Sequence, residues 1–279
     1  MTRDRAPART RVLLTGAAGG IGTVLRAGLR GRYPELRLLD TEAMDAAGEG
    51  EEVVVADLRD YANVEAAMEG VDAVVHLAAI PGEAAFAEIC AHNLVATYHV
   101  FEAARRQGAT RVVYASSNHA IGFTPVTERI GPDAPLRPDT YYGVSKAFGE
   151  ALGRLYVDKF GMDVACLRIG SFGERPGSRR ELFTWLSPRD AVELVGCCLD
   201  APYLGFAIVY GISANTRTWW DNPEAERIGY RPVDDAEAFA AELLAGPASD
   251  DPTERFQGGP FTGRDTTADH PPGVPPRGG

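Results

Sequence analysis

Tyr142 and Lys146 stand four residues apart at the start of a helical pattern. Ser116-Ser117-Asn118-His119 closes an apolar run earlier in the chain. On a helix the four-residue spacing puts phenol and ammonium on one face. An ammonium beside a phenol favours the phenolate, so the tyrosine pKa is expected to fall from about 10 towards neutrality. A hydroxyl such as that of Ser117, carried on a neighbouring strand end, would hold a substrate oxygen against the phenol. Residue type and spacing therefore outline a proton-transfer site.

The elements that must position these residues are legible from the N-terminal side. Arg11-Val12-Leu13-Leu14-Thr15 reads as a short strand, followed by Gly16, Gly19, Gly20, Ile21 and Gly22 and a helical pattern through Leu25 and Leu29. Strand, glycine-rich turn and helix form a phosphate cradle: the glycines let the backbone approach an anion, and the helix N-terminus supplies unpaired N–H groups and the positive dipole end. Asp40 ends the second strand with no arginine immediately after it. A carboxylate there accepts ribose hydroxyls and repels a 2′-phosphate, which selects NAD over NADP. Asp57-Leu58 follows the third strand and is placed to contact an adenine, although Asp is also the ordinary cap of a following helix. Strand four runs into Leu77-Ala78-Ala79, small residues that permit close backbone approach to a ligand. His76 just before them reads as structural. Asn93 lies inside a long helical segment over residues 84–107, an unfavourable place for asparagine unless it bonds a kinked backbone. Strand five delivers Ser116 to His119, the Tyr142 helix runs to about Phe160, and strand six ends in Ile169 before Gly170 and Ser171.

Short apolar strands alternating with helices predict an α/β fold, a Rossmann-type doubly wound parallel sheet covered on both faces. Ligands in such folds bind beyond the C-terminal strand ends, where the glycine turn, Asp40, Asp57, Ala78, Ser117 and Ser171 all fall. The expected organisation is a disordered leader over residues 1–10 and an NAD-binding domain over 11–173. A small substrate-binding lobe with closing elements over 174–246 and a tail over 247–279, partly docked and then disordered from 263, complete it.

Composition limits the partners. The net charge of −11 over 279 residues opposes nucleic acid or an anionic membrane surface. No apolar run reaches the roughly 18–20 residues of a membrane span. The polar N-terminal segment has no signal-peptide core, and the four cysteines lack metal-ligand spacing and disulfide-scaffold density. A reducing cytoplasm is the expected compartment, with Cys197 and Cys198 as packing residues and no metal.

Together these motifs resemble a family. Thr15-Gly16-Ala17-Ala18-Gly19-Gly20-Ile21-Gly22, Asp57-Leu58, His76-Leu77-Ala78-Ala79, Ser116-Ser117, Tyr142-x-x-x-Lys146 and Ile228-Gly229-Tyr230-Arg231-Pro232 are similar to the extended short-chain dehydrogenases/reductases. Within that superfamily, Ser116-Ser117-Asn118-His119-x-Ile121-Gly122, Thr127-Glu128-Arg129, Arg168-Ile169-Gly170-Ser171, Thr184-Trp185, Trp219-Trp220-Asp221-Asn222 and Arg255-Phe256-Gln257-Gly258-Gly259 resemble the bacterial uronate dehydrogenases, nearly end to end. The resemblance implies oxidation of D-glucuronate or D-galacturonate at C1 with NAD, giving an aldarolactone. Tyr142 would be the base, Lys146 its activator and ribose ligand, and Ser117 the residue positioning the C1 hydroxyl. Leu77, Ala79 and Ile169 would join the cofactor contacts. Asn118, His119 and Ser171 would hold sugar hydroxyls, and Arg180 the C6 carboxylate, a role that the bidentate match of guanidinium to carboxylate also supports. The superfamily further implies a homo-oligomer built on the long helices. Pro81 departs from the pattern, standing where a substrate-touching serine is expected, and Gly20 is a milder departure. A nucleotide-sugar epimerase or dehydratase shares Ser117, Tyr142 and Lys146, and a non-catalytic NAD-binding sensor shares the cradle. Accumulation of NADH separates the dehydrogenase from both.

Overall fold

The computed structural model describes residues 10–246 and 250–264. The leader expected over residues 1–10 lies outside them but for Thr10, as does the tail expected from 263 beyond Arg264. Nine strands are present among the described residues: β1 Arg11–Thr15, β2 Glu35–Asp40, β3 Glu51–Val55, β4 Ala73–His76, β5 Arg111–Ser117, β6 Asp163–Ile169, β7 Ser171–Phe172, β8 Trp185–Leu186 and β9 Phe206–Gly211. Seven form one parallel sheet in the order β3-β2-β1-β4-β5-β6-β9, and β7 pairs with β8 apart from it. The chain steps outward from β1 to β3 and then returns to β4, so a crevice opens between β1 and β4 at their C-terminal ends.

Consecutive buried apolar residues, such as Val12, Leu13 and Leu14, mark strands covered on both faces. Helices α1 Gly20–Leu29 and α7 Pro188–Asp200 cover one face, with Leu25, Leu29, Leu194 and Cys198 in its core. Helices α2 Tyr61–Ala67, α3 Phe86–Ile89, α4 Ala96–Gln107 and α5 Tyr141–Phe160 belong to the other, where Val64, Val100, Phe101 and Tyr156 pack. The short helices α6 Glu181–Thr184, α8 Pro223–Ile228 and α9 Ala240–Leu243 lie late in the chain. Helix α7 and strand β9 fall within the stretch expected to form the substrate lobe, yet they complete the sheet and one of its layers. A buried strand and an amphipathic helix read alike in either setting, and only long-range packing assigns them.

The long segment before β5 is not one uniform helix. Residues Cys90–Val95 form a π-helical turn between α3 and α4. Asn93 sits in that turn, accepts from Ile80 N at 2.8 Å, and donates to Ile80 O at 3.2 Å and Ser145 Oγ at 3.0 Å. The asparagine thus bonds the backbone that carries the β4 strand end. His76 is buried between Thr15 Oγ1 and Thr97 Oγ1 at 2.8 and 3.1 Å. Its burial lowers its pKa to about 3, which fits a neutral structural role.

An ion cluster ties α1 to β3. Arg26 and Arg30 reach Glu51 at 2.7 and 2.8 Å, and the Glu51 side chain is only 1% exposed. The hydrogen bond from Arg26, more than any other contact, holds the carboxyl at about 2. Because the folded pKa lies below the unfolded one, this stabilisation is full above the ordinary glutamate pKa and disappears as pH falls towards 2. Glu51→Gln is expected to reduce stability by about 2 kcal/mol at pH 7, and by far less at pH 2.5. Equal losses in denaturant melts at both pH values would contradict the linkage.

Candidate active site

Three adjoining cavities follow the C-terminal edge of the sheet. The first, about 200 Å³, is lined by Gly16, Asp40, Asp57, Leu58, Leu77, Ala78 and Ala79. The second, about 420 Å³, is lined by Gly16, Gly20, Ile21, Gly22, Ser117, Asn118, His119, Tyr142, Lys146 and Ile169. The third, about 820 Å³, shares Asn118, His119 and Gly170 with the second and adds Ser171 and Arg180. Only Gly19 among the sequence-selected residues lines none of them, standing instead at the N-cap of α1.

The glycine turn is built for close approach. Gly16 has φ +73°, and a Cβ on it would lie 2.7 Å from Ala78 N. A Cβ on Gly22 would lie 2.2 Å from Gly16 O, so any side chain there would force the helix away from the turn. No side chain caps the N-terminus of α1, which leaves its first N–H groups for an anion. Asp40 Oδ2 accepts from Ala18 N at 2.9 Å, fixing the carboxylate at the mouth of the first cavity. The Asp57 carboxylate is already engaged by the Arg59 guanidinium at 2.6 Å. These features fit a dinucleotide whose adenosine lies in the first cavity and whose pyrophosphate lies on the turn. Asp40→Ser is expected to raise the NADP-to-NAD ratio of kcat/KM about tenfold or more, because a like charge facing the 2′-phosphate is removed. An unchanged ratio would take Asp40 out of this role.

The proton-transfer group is assembled from β5 and α5. Thr140 caps α5 by accepting from Gly143 N at 3.0 Å, and Glu83 accepts from Tyr142 N at 3.0 Å. Tyr142 and Lys146 then share one face of α5, with Lys146 Nζ 5.4 Å from the centroid of the Tyr142 ring. Ser117, buried at the end of β5, lines the same cavity as the phenol. One turn further, Glu150 accepts from Ser116 Oγ at 2.7 Å and pairs with Arg168 at 2.9 Å, all in the interior. This network locks β5, β6 and α5 together beneath the phenol.

The electrostatics correct one expectation. Tyr142 does not descend towards neutrality: burial pushes it up to about 12, against a smaller downward pull from Ser117. Burial likewise lowers Lys146 to about 7. Four-residue spacing on a helix says nothing of how much water is removed. In this interior each charge is costly alone, and phenolate and ammonium formed together offset much of that cost.

His119 and Arg180 form the opposite wall. His119 Nδ1 lies 2.7 Å from the buried Asp139 Oδ2, while its ring stacks on Phe261 at 3.9 Å and meets the Tyr142 ring edge-on at 5.9 Å. Burial lowers its pKa despite Asp139, so a neutral ring donates from Nδ1 and turns an acceptor Nε2 elsewhere. Arg180 donates through Nε to Gln257 O at 2.8 Å and through Nη1 to Ser171 Oγ at 3.2 Å. With the Asn118 amide oriented to satisfy its neighbours, its nitrogen donates to Ile169 O at 3.0 Å and its oxygen accepts from Arg180 Nη2 at 2.7 Å. Burial depresses Arg180 to about 10, and it has no carboxylate within ion-pair distance among the described residues.

Neither Asp139 nor Gln257 was given a role at the site from the sequence, although Gln257 lies in the Arg255–Gly259 stretch that carries the resemblance. Asp139 adjoins the Thr140 cap, and an Asp-Thr pair before a helix reads as capping alone. Gln257 is fully buried. It accepts from Trp220 Nε1 at 2.7 Å and donates to Glu128 O at 2.8 Å, so it pins the C-terminal segment on the cleft. Pro81 lines the second cavity, where it offers no donor. No grouping of side chains able to hold a metal ion occurs among the described residues.

Comparison with known proteins adds three findings. Residues 12–191 match the NAD dependent epimerase/dehydratase family. Uronate dehydrogenase of Pseudomonas putida is 48% identical over 90% of this chain and 95% of its own, and that of Agrobacterium fabrum is 47% identical over 90% and 96%. A crystal structure of uronate dehydrogenase from Agrobacterium tumefaciens, a tyrosine-to-alanine variant complexed with NAD, is 45% identical. It superimposes with a TM-score of 0.89 over 92% of this chain and 98% of that one.

Proposed function

We infer the reaction of this cleft from the premise that the chain belongs to the NAD-dependent epimerase/dehydratase family, and within it to the uronate dehydrogenases: it oxidises a hexuronic acid with NAD, at C1, to the aldarolactone. The observation that carries the substrate class is Arg180, a half-buried guanidinium on the cleft wall with no carboxylate at ion-pair distance among the described residues. Such a charge is costly unless an anion completes it, and the C6 carboxylate of a uronic acid does so bidentately.

In this reading Gly16, Gly19, Gly20, Ile21 and Gly22 hold the NAD pyrophosphate. Asp40, Asp57 and Leu58 hold the adenosine, and Leu77, Ala78, Ala79 and Ile169 line its path. Bound NAD supplies the hydride acceptor. The protein's own task is to orient the sugar and to take one proton. Arg180 fixes the carboxylate end, Asn118, His119 and Ser171 the ring hydroxyls, and Ser117 the anomeric hydroxyl against Tyr142. Tyr142 accepts the proton from that hydroxyl, and Lys146 stabilises the resulting charge distribution and reaches the ribose. Positioning and general-base catalysis together supply the acceleration.

The cytoplasm and a homo-oligomer are proposed with this function. No helix among the described residues is long and apolar enough to cross a membrane. Tyr98, Val144, Leu155 and Phe160 are exposed on α4 and α5, which suits pairing of two copies through these helices. Absorbance of NADH with a panel of hexuronic acids and neutral hexoses tests the reading. Uronates are expected to give sustained NADH and hexoses at least about a hundredfold less; comparable rates with both would overturn it.

A further inference from the structure

The third cavity is larger than the proposed reaction needs. About 820 Å³ lies near the top of the range of roughly 300–1,000 Å³ that drug-sized ligands occupy, well beyond one monosaccharide ring. It does not lie apart from the chemistry, because Asn118, His119 and Gly170 line both it and the cavity of Tyr142. Arg180 stands on its wall, and the rest of the lining combines aromatic rings with Arg179 and the carboxylates of Glu181, Asp251 and Glu254. Phe183 and Trp219 stack on one another at 4.4 Å, and Phe256 and Phe261 line the same space. All four are partly exposed. The Arg264 guanidinium, 3.7 Å from the Phe261 ring centroid, also faces it and is in no ion pair among the described residues.

Sugar stereochemistry says what this space would hold. In a hexopyranuronate C4 is across the ring from C1 and adjacent to C5, which bears the C6 carboxylate. With C1 at Tyr142 and C6 at Arg180, O4 points away from the proton-transfer group, past Arg180. A substituent on O4 would therefore enter the aromatic chamber. Flat aromatic faces beside a cation suit a second pyranose ring bearing its own carboxylate.

We propose that the cleft of this chain also accepts the reducing-end residue of a short, O4-linked oligouronide, with the second sugar in the chamber of Phe183, Trp219 and Phe261. The proposal rests on the uronate dehydrogenase reading of the site. The redox step is unchanged: the C1–H bond breaks, its hydride passes to NAD, the O1 proton passes to Tyr142, and C1 becomes a lactone carbonyl. The glycosidic bond at O4 stays intact.

The test compares galacturonate with O4-linked digalacturonate as substrates of the full chain with NAD, following NADH by absorbance and product mass. Digalacturonate is expected to yield NADH and a disaccharide lighter by two hydrogens, or its hydrolysed lactone, with kcat/KM within about tenfold of the monomer. NADH from galacturonate but none from digalacturonate overturns this inference and leaves the proposed function standing. NADH from neither overturns the proposed function itself. Trp219→Leu and, on the opposite side, Arg264→Gln are expected to lower kcat/KM for digalacturonate about five- to tenfold, with galacturonate within twofold. Equal effects on both substrates, or none on either, in variants whose melting temperatures match the parent, would remove the second sugar from this chamber.

Discussion

Tyr142→Phe is expected to lower uronate-dependent NADH formation by about a thousandfold, while uronate and NAD binding stay within a few-fold of the parent. The substitution removes one oxygen from a ring held by its place on α5, by its edge contact with His119 and by burial. It leaves the cradle, Arg180 and Ser117 in place. What disappears is the group that the proposed mechanism uses as a proton acceptor, in the cavity that Ser117 also lines. The pH dependence checks the assignment independently. A base pushed upwards by burial is mostly protonated at neutral pH, so kcat/KM should rise with pH above 7. The Lys146 ammonium, lowered to about 7, loses its charge over the same range, so the limb belongs to the pair. Tyr142→Phe should flatten it. A variant that keeps both the rate and the limb would remove Tyr142 from the reaction.

The second large effect is expected at Arg180. Arg180→Met should lower kcat/KM for a uronate by about 10²–10³, the consequence of losing a charged, desolvated hydrogen-bonding partner. The same change should lower the trace rate on a neutral hexose far less, because that substrate has no carboxylate to lose. The comparison matters because Arg180 also donates to Ser171, Gln257 O and Asn118, and Met removes that donor from each, Ser171 keeping its bond to Thr184 Oγ1 at 2.9 Å. A merely structural role would lower both rates in parallel with the melting temperature. Arg180→Lys keeps the charge without the fork, and should recover part of the uronate rate but not its selectivity. An unchanged ratio of uronate to hexose in Arg180→Met would refute carboxylate recognition there.

Much of this molecule is written in local pattern. Strand, glycine turn and helix over residues 11–29, the carboxylate of Asp40, and Tyr142 and Lys146 one turn apart depend on neighbours in sequence, and the structure places them at one sheet edge. Periodicity in the Tyr142 segment gives its helix almost to the residue, since Thr140 and Gly161 cap it from within the same stretch. Asn93 was legible as out of place in a helix interior, but the backbone it bonds is that of Ile80 after β4, a partner no local pattern contains.

Other features exist only once distant segments meet. Strand β9 joins the main sheet through pairing with β6, a register that no local pattern contains. Gln257 and Phe261 reach the cleft from the far end of the chain, and Asp139 is a plain capping-loop residue until His119 lies against it. The charge states of Tyr142 and Lys146 belong to the same class. Sequence alone determined that phenol and ammonium would share a helix face, because that follows from the helical repeat. Whether the phenol is easy or hard to ionise was decided by the tertiary structure, because the cost of a charge is set by the water that packing removes, and packing is a property of the whole fold.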